Sequence, residues 1–261
     1  MENTIIENDL DQIINFNLPW FELADKTVLI SGVNGMLPSY MVKTLLRLNE
    51  VRKLNIKVIG LVTSKERALI KFSQYQDRPD LQLIIQDVCD PIVLKEKVHY
   101  IVHAASQASP KYYGKDPAGT LLPNVIGTHN LLELARKNTV DGFLFFSSSE
   151  VYGQVDGSKI FLNENTYGYL DPTDIRSCHA ESKKMGENMC ISWLHQYGVK
   201  TEIVRPFHVY GPGMRLDDSR VFADFVADIT NNRDIIMKSN GITRRALPPD
   251  ASDLYFKKYR C

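Results

Sequence analysis

The chain has 261 residues, 44% hydrophobic and 24% charged, enough to bury a full core and too apolar for a disordered or fibrous protein. The 31 Lys and Arg balance the 31 Asp and Glu, so no net field favours nucleic acid or an anionic membrane. The start (Met1-Glu2-Asn3-Thr4) is polar, no stretch approaches the ~20 apolar residues of a bilayer span, and Cys89, Cys178, Cys190 and Cys261 lack metal-ligand spacing. The expectation is a cytoplasmic protein with reduced thiols, no metal, no nucleic-acid partner and no membrane contact.

In chain order, residues 1–24 carry an amphipathic pattern (Leu10, Ile13, Ile14, Phe16) that predicts an extra helix. Residues 26–32 form a short apolar run ending in glycine, and 39–48 repeat apolar residues at helical spacing. Runs 56–62 and 81–85 read as strands, each stopping at polar residues before another helical stretch. Runs 100–105 and 142–147 read as two more strands flanking a helix over 124–137. A long helix over 179–197 and a strand over 201–205 follow. This alternation predicts an α/β fold, a doubly wound parallel sheet with ligands at the carboxyl ends of its strands. The expected division is an extension over 1–24, a dinucleotide-binding domain over 25–206 and a small substrate-binding subdomain over 207–261.

After the first strand comes Gly32-Val33-Asn34-Gly35-Met36-Leu37-Pro38, a glycine loop whose third glycine is proline. Glycine lets backbone approach a pyrophosphate, and the next helix offers unpaired N–H groups to its charge. Gly32, Asn34, Gly35, Met36 and Leu37 are therefore assigned to the pyrophosphate. Proline is tolerated in a first helical turn, so its presence threatens binding less than loss of Gly32 would. The second strand ends Val62-Thr63-Ser64-Lys65 without the acidic residue that grips a ribose 2′-hydroxyl. Thr63 is placed at this ribose, and NADP stays open beside NAD. Asp87 and Val88 follow the third strand at the adenine end; the alternative for Asp87 is a turn cap before Pro91.

The remaining chemistry lies in Ser147-Ser148-Ser149-Glu150-Val151-Tyr152-Gly153 and His179-Ala180-Glu181-Ser182-Lys183. Residues four apart share a helix face, so His179 and Lys183 can address one substrate carbon from opposite a strand-end serine. This layout resembles a short-chain dehydrogenase site with histidine in place of its tyrosine.

Together with His103-Ala104-Ala105-Ser106, Asn124, Gly127-Thr128 and Arg205-Pro206-Phe207-His208-Val209-Tyr210-Gly211-Pro212, these motifs resemble the extended short-chain dehydrogenases that act on nucleotide sugars, from about residue 26 to about residue 246. Ala105-Ser106-Gln107-Ala108-Ser109-Pro110, Glu150 and Arg176-Ser177-Cys178 are most similar to the UDP-glucuronate decarboxylases among them. The resemblance implies an NAD-dependent decarboxylase, dehydratase or epimerase working through transient oxidation at the sugar C4, as a homodimer on a UDP-linked sugar. It implies Ser148, His179 and Lys183 as the reacting set and Glu150 as second-step acid or base. It adds Ala104, Ala105, Ser106, Asn124, Ser147, Pro206 and, at the nicotinamide ribose, Lys183 to the cofactor site, and gives Gln107, Ser109, Tyr113, His208, Arg220 and Arg245 (or Arg244) to the substrate.

Three departures stand out: His179 for tyrosine, His208 for the usual asparagine, and an end of Leu247-Pro248-Pro249-Asp250 to Cys261 where the family runs on into a larger subdomain. Proton uptake by His179 adds a cation beside Lys183 and oxidised nicotinamide, so the expectation is an impaired base in a shortened protein. The alternatives are a silent NAD(P)/nucleotide-binding protein, favoured by His179, and a small-carbonyl reductase, favoured by the missing acidic residue.

Overall fold

A computed structural model of the chain describes residues 2–155, 162–217 and 220–236. Its centre is a six-stranded sheet, every neighbouring pair parallel, in the order β3-β2-β1-β4-β5-β6. The strands are β1 (Thr27–Ser31), β2 (Lys57–Val62), β3 (Leu81–Ile85), β4 (Tyr100–His103), β5 (Gly142–Phe146) and β6 (Thr201–Val204). The order reverses between β1 and β4, so a crevice opens at their carboxyl ends.

Alternation along β1 divides the core. Val28 and Ile30 pack with α1 (Glu2–Asn15) and α2 (Met36–Arg52), while Leu29 faces the cluster of α6 (Thr128–Asn138) and α7 (Cys178–Tyr197). The added helix forms, burying Ile6, Leu10, Ile13 and Ile14; Phe16 lies past its end and is exposed, because α1 stops at Asn15. Toward the β6 edge the α2 side is thinly covered: Leu144 and Phe146 are half-buried, and Glu202 and Val204 are exposed.

The alternation holds after β2, where α3 (Lys65–Lys71) begins under a Ser64 cap, and fails after β3, where no helix forms before β4. The carbonyls of that crossover are bound by side chains instead. Gln86 donates to the carbonyl of Pro91 (3.0 Å) and Asn130 to those of Val88 (3.0 Å) and Cys89 (2.9 Å). The helix expected over 124–137 is preceded by α4 (Pro110–Tyr113) and α5 (Pro117–Leu122) and opens with a π-helical turn, Pro123–Gly127. Gly127 is required there, since a Cβ would lie 2.6 Å from Cγ1 of Val88. A further helix, α8 (Val221–Thr230), leaves Phe222, Phe225 and Val226 half-buried.

Candidate functional site

The carboxyl ends of β1, β2, β4 and β5 open into one cleft of about 1320 Å³. One end is a backbone cradle. Gly32 has φ of +73°, and a Cβ on it would lie 2.7 Å from the Cα of Ala105, so only glycine lets the β1 turn lie against the β4 turn. A polar latch fixes that contact. Ser31 Oγ accepts the N–H groups of Ala104 and Ala105 (3.1 Å each) and pairs with Nδ1 of His103 (2.9 Å), whose Nε2 meets the Pro123 carbonyl (3.1 Å). Burial pushes His103 down to about 3, so its imidazole stays neutral and structural.

Helix α2 starts at Met36, inside the glycine loop, with Gly35 as an N-cap that offers no side-chain bond. The N–H groups of Met36 and Leu37 therefore belong to a helix end that favours anions, and Pro38 lacks a donor where a helix start does not need one. All five predicted pyrophosphate residues line the cleft, with Thr63, Asp87, Val88, Ala104, Ala105 and Ser106. Asp87 also caps its own turn, accepting the N–H of Cys89 at 2.8 Å. The buried polar atoms Asn34 Oδ1, Ser106 Oγ and Gln107 Oε1 have no hydrogen-bond partner, and all three residues line the cleft. A ligand rich in hydroxyl groups fits this end, as a nicotinamide dinucleotide is. Lys43, Arg67 and Lys71, which sequence reasoning passed over, line the cleft too.

The other end is built from side chains. Ser148 Oγ caps the short 3-10 turn Ser149–Tyr152 by accepting the N–H of Glu150 (3.2 Å). Lys183 is buried, its Nζ donating to the Phe146 carbonyl at 2.6 Å and lying 4.9 Å above the Phe145 ring; desolvation pushes it down to about 7. Ser148, His179 and Lys183 meet in this one cleft.

His179 is also buried, and Nδ1 lies 3.4 Å from Oε2 of Glu150. Arg176 grips the same carboxylate through two bonds (3.0 and 3.1 Å). Tyr113 stacks on the imidazole (4.9 Å, 13°) and carries the Arg176 guanidinium on its ring at 4.5 Å. Burial opposes charge on Glu150, but hydrogen bonds from His179 and Arg176 hold its carboxyl down at about 2. Desolvation lowers His179, with Glu150 pulling against it and Lys183 assisting. Glu150 is thus a committed carboxylate, a poor proton donor near neutral pH, which weakens its expected part as second-step acid.

Pro206, Ser109, Tyr113, His208 and Arg220 also line the cleft. Ser147 lines it while giving its hydroxyl to Glu187 (2.5 Å), which also takes two bonds from Arg205 (2.8 and 2.7 Å). Glu187 continues the His179, Lys183 helix face and was legible from that spacing. Asn124 does not line the cleft. It is buried, donating to the Thr120 carbonyl and Ser182 Oγ (3.0 Å each), a brace between the π-helical turn and α7. Arg244 and Arg245 lie outside the described residues. Among the described residues no group of three or more His, Cys, Asp or Glu is placed to hold a metal ion, and no helix is long and apolar enough to cross a membrane.

The profile of the NAD dependent epimerase/dehydratase family matches residues 28–247. UDP-glucuronic acid decarboxylase 3 of Arabidopsis thaliana is 33% identical over 219 residues, 84% of this chain and 61% of that protein. UDP-glucuronic acid decarboxylase 1 of Xenopus tropicalis is 31% identical over 222 residues, 85% of this chain and 50% of that one. The chain thus spans 50% to 61% of the length of these relatives. Among solved structures, the UDP-glucose 4-epimerase of Thermotoga maritima with UDP-glucose is similar at a TM-score of 0.70 and 22% identity, covering 82% of this chain and 66% of its own. The UDP-glucuronic acid 4-epimerase of Bacillus cereus in complex with NAD gives 0.66 and 22%, covering 80% and 64%. These two likenesses establish the shared fold.

Proposed function

This chain belongs to the NAD dependent epimerase/dehydratase family, and we propose that it binds NAD in the cleft and oxidises a UDP-linked sugar transiently at one carbon, as a step toward decarboxylation, dehydration or epimerisation. The observation that carries this reading is that one cleft holds both the Gly32 cradle and the Ser148, His179, Lys183 set. NAD, when bound, supplies a reversible hydride acceptor. The chain's own residues do the rest. Met36 and Leu37 offer N–H groups to the pyrophosphate, Asn34, Ser106 and Gln107 supply the unmatched polar atoms, and Lys183 sets positive potential beside the reacting carbon. Ser148 holds the substrate oxygen, and His179 exchanges its proton. The names of the curated relatives make UDP-glucuronate the first substrate to try.

Arg67 and Lys71, which line the cleft with Thr63, and the lack of an acidic residue ending β2 support assaying NADP beside NAD. Exposed apolar residues on the packed α5, π-helical and α7 surfaces (Leu121, Leu122, Ile126, Ile191 and Leu194) support a homodimer. The test is a panel of UDP- and dTDP-sugars incubated with each cofactor and read by mass spectrometry. Loss of carbon dioxide, loss of water or a sugar isomer supports the reading. Dinucleotide binding with every sugar unchanged favours the silent binder, for which the commitment of Glu150 to Arg176 speaks.

A further inference from the structure

The four elements around His179 do more than fill the place of a tyrosine. The 3-10 turn Ser149–Tyr152 brings Glu150, the turn Ile175–Ser177 brings Arg176, α4 brings Tyr113, and α7 brings the imidazole itself. Only one ring nitrogen has a partner: Nδ1 faces the Glu150 carboxylate at 3.4 Å, while Nε2 is buried with none. A carboxylate accepts hydrogen bonds and does not donate them, so Nδ1 must carry the proton and Nε2 the lone pair. Tyr113, stacked within 13°, fixes the ring plane.

The geometry points to His179 as a carboxylate-backed base: Nε2 takes the proton of the substrate hydroxyl, and Glu150 and Tyr113 act as its positioning residues. This rests on the functional reading above. In the step, the hydroxyl O–H bond breaks and its proton forms an N–H bond at Nε2. The C–H electron pair leaves as hydride to an oxidised nicotinamide dinucleotide, and the carbon–oxygen double bond forms. The imidazolium that results is paired with Glu150. The charge that Lys183 and oxidised nicotinamide set against protonation of His179 is offset by the carboxylate beside Nδ1, as it is by a buried carboxylate in other imidazole bases.

The test reads the imidazole directly. Nitrogen-15 NMR of the full chain, wild type and Glu150→Gln, each with and without NAD, reports which nitrogen is protonated. The expected result is an Nδ1–H tautomer in the wild type that Glu150→Gln weakens or reverses. An Nε2–H tautomer in the wild type, or one indifferent to Glu150→Gln, overturns the assignment whatever the activity. In parallel, His179→Gln and His179→Tyr are assayed on the sugar panel. His179→Gln is expected to lower turnover by about 10²–10⁴-fold, and His179→Tyr to regain none of it. His179→Gln at wild-type rate, or His179→Tyr faster than wild type by about tenfold or more, also overturns the assignment. A wild type with the expected tautomer but no turnover of any sugar defeats the functional reading alone, and the tautomer then decides the base.

Discussion

The two ends of the cleft tolerate change differently. The Gly32 end is made of backbone: two turns in contact, a helix start and the Ser31 latch beneath them. Proline replaces a glycine there, and the acidic residue of β2 is missing, yet the cradle keeps its shape because none of its main contacts depends on those side chains. The His179 end is made of side chains, so one replacement changes the partners of Glu150, Arg176 and Tyr113 together. A backbone site is broken by adding a Cβ, and a side-chain site by changing one atom.

The sharpest way to break this contrast is at Gly32. Gly32→Val puts carbon into Ala105 at a positive φ, and NAD affinity should fall at least about 100-fold, roughly 2.7 kcal/mol, by calorimetry. Pro38→Gly should change it by less than about threefold. If Pro38→Gly cost as much as Gly32→Val, the cradle would not be a backbone device.

Glu150→Gln comes next. It keeps the side chain's shape but removes the charge that faces Nδ1, and kcat should fall about 10-fold to 100-fold with KM little changed. An equal loss in KM would mean that Glu150 contacts the substrate.

A pH profile sharpens the same end. A base at His179, as proposed, works only when neutral, so turnover should rise with pH through a value below its ordinary ~6.5, the direction burial sets against Glu150 while Lys183 and Arg176 assist; Tyr113 lies on the ring. Removing Glu150 removes the group that raises His179, so the acid limb of Glu150→Gln should move to lower pH. Lys183, pushed to about 7 by desolvation, should lose its charge on the alkaline side and bring turnover down again. An acid limb unmoved by Glu150→Gln would detach the two residues.

The smallest effect is on stability. The Glu150 carboxyl is held at about 2 in the folded chain, below its unfolded value of ~4.3. Its stabilisation is therefore present above that value and lost as pH falls through about 2. Wild type should lose about 1–2 kcal/mol more than Glu150→Gln over that window, a figure reduced for partial exposure. Equal acid melts would remove the clamp from the account.

Most of the cradle was legible because backbone sites leave a sequence trace: glycine after an apolar run and before a helix. The missing helix after β3 was not, since Gln86 and Asn130 satisfy its carbonyls from places no local pattern connects. The helix face joining His179, Lys183 and Glu187 was readable by spacing. The partnership of His179 with Glu150 was not, because it joins residues 29 positions apart across two elements. Asn124 was assigned to the cofactor through its motif and proves to brace Ser182, since a motif shows that a residue matters without showing what it touches.

The contrast is tested most directly by titrating NAD into wild type, Gly32→Val and His179→Gln under one set of conditions. The account predicts that His179→Gln binds within about threefold of wild type while Gly32→Val loses at least about 100-fold. Equal losses in the two variants would contradict it, because the binding and reacting ends would then be one site held by the same side chains.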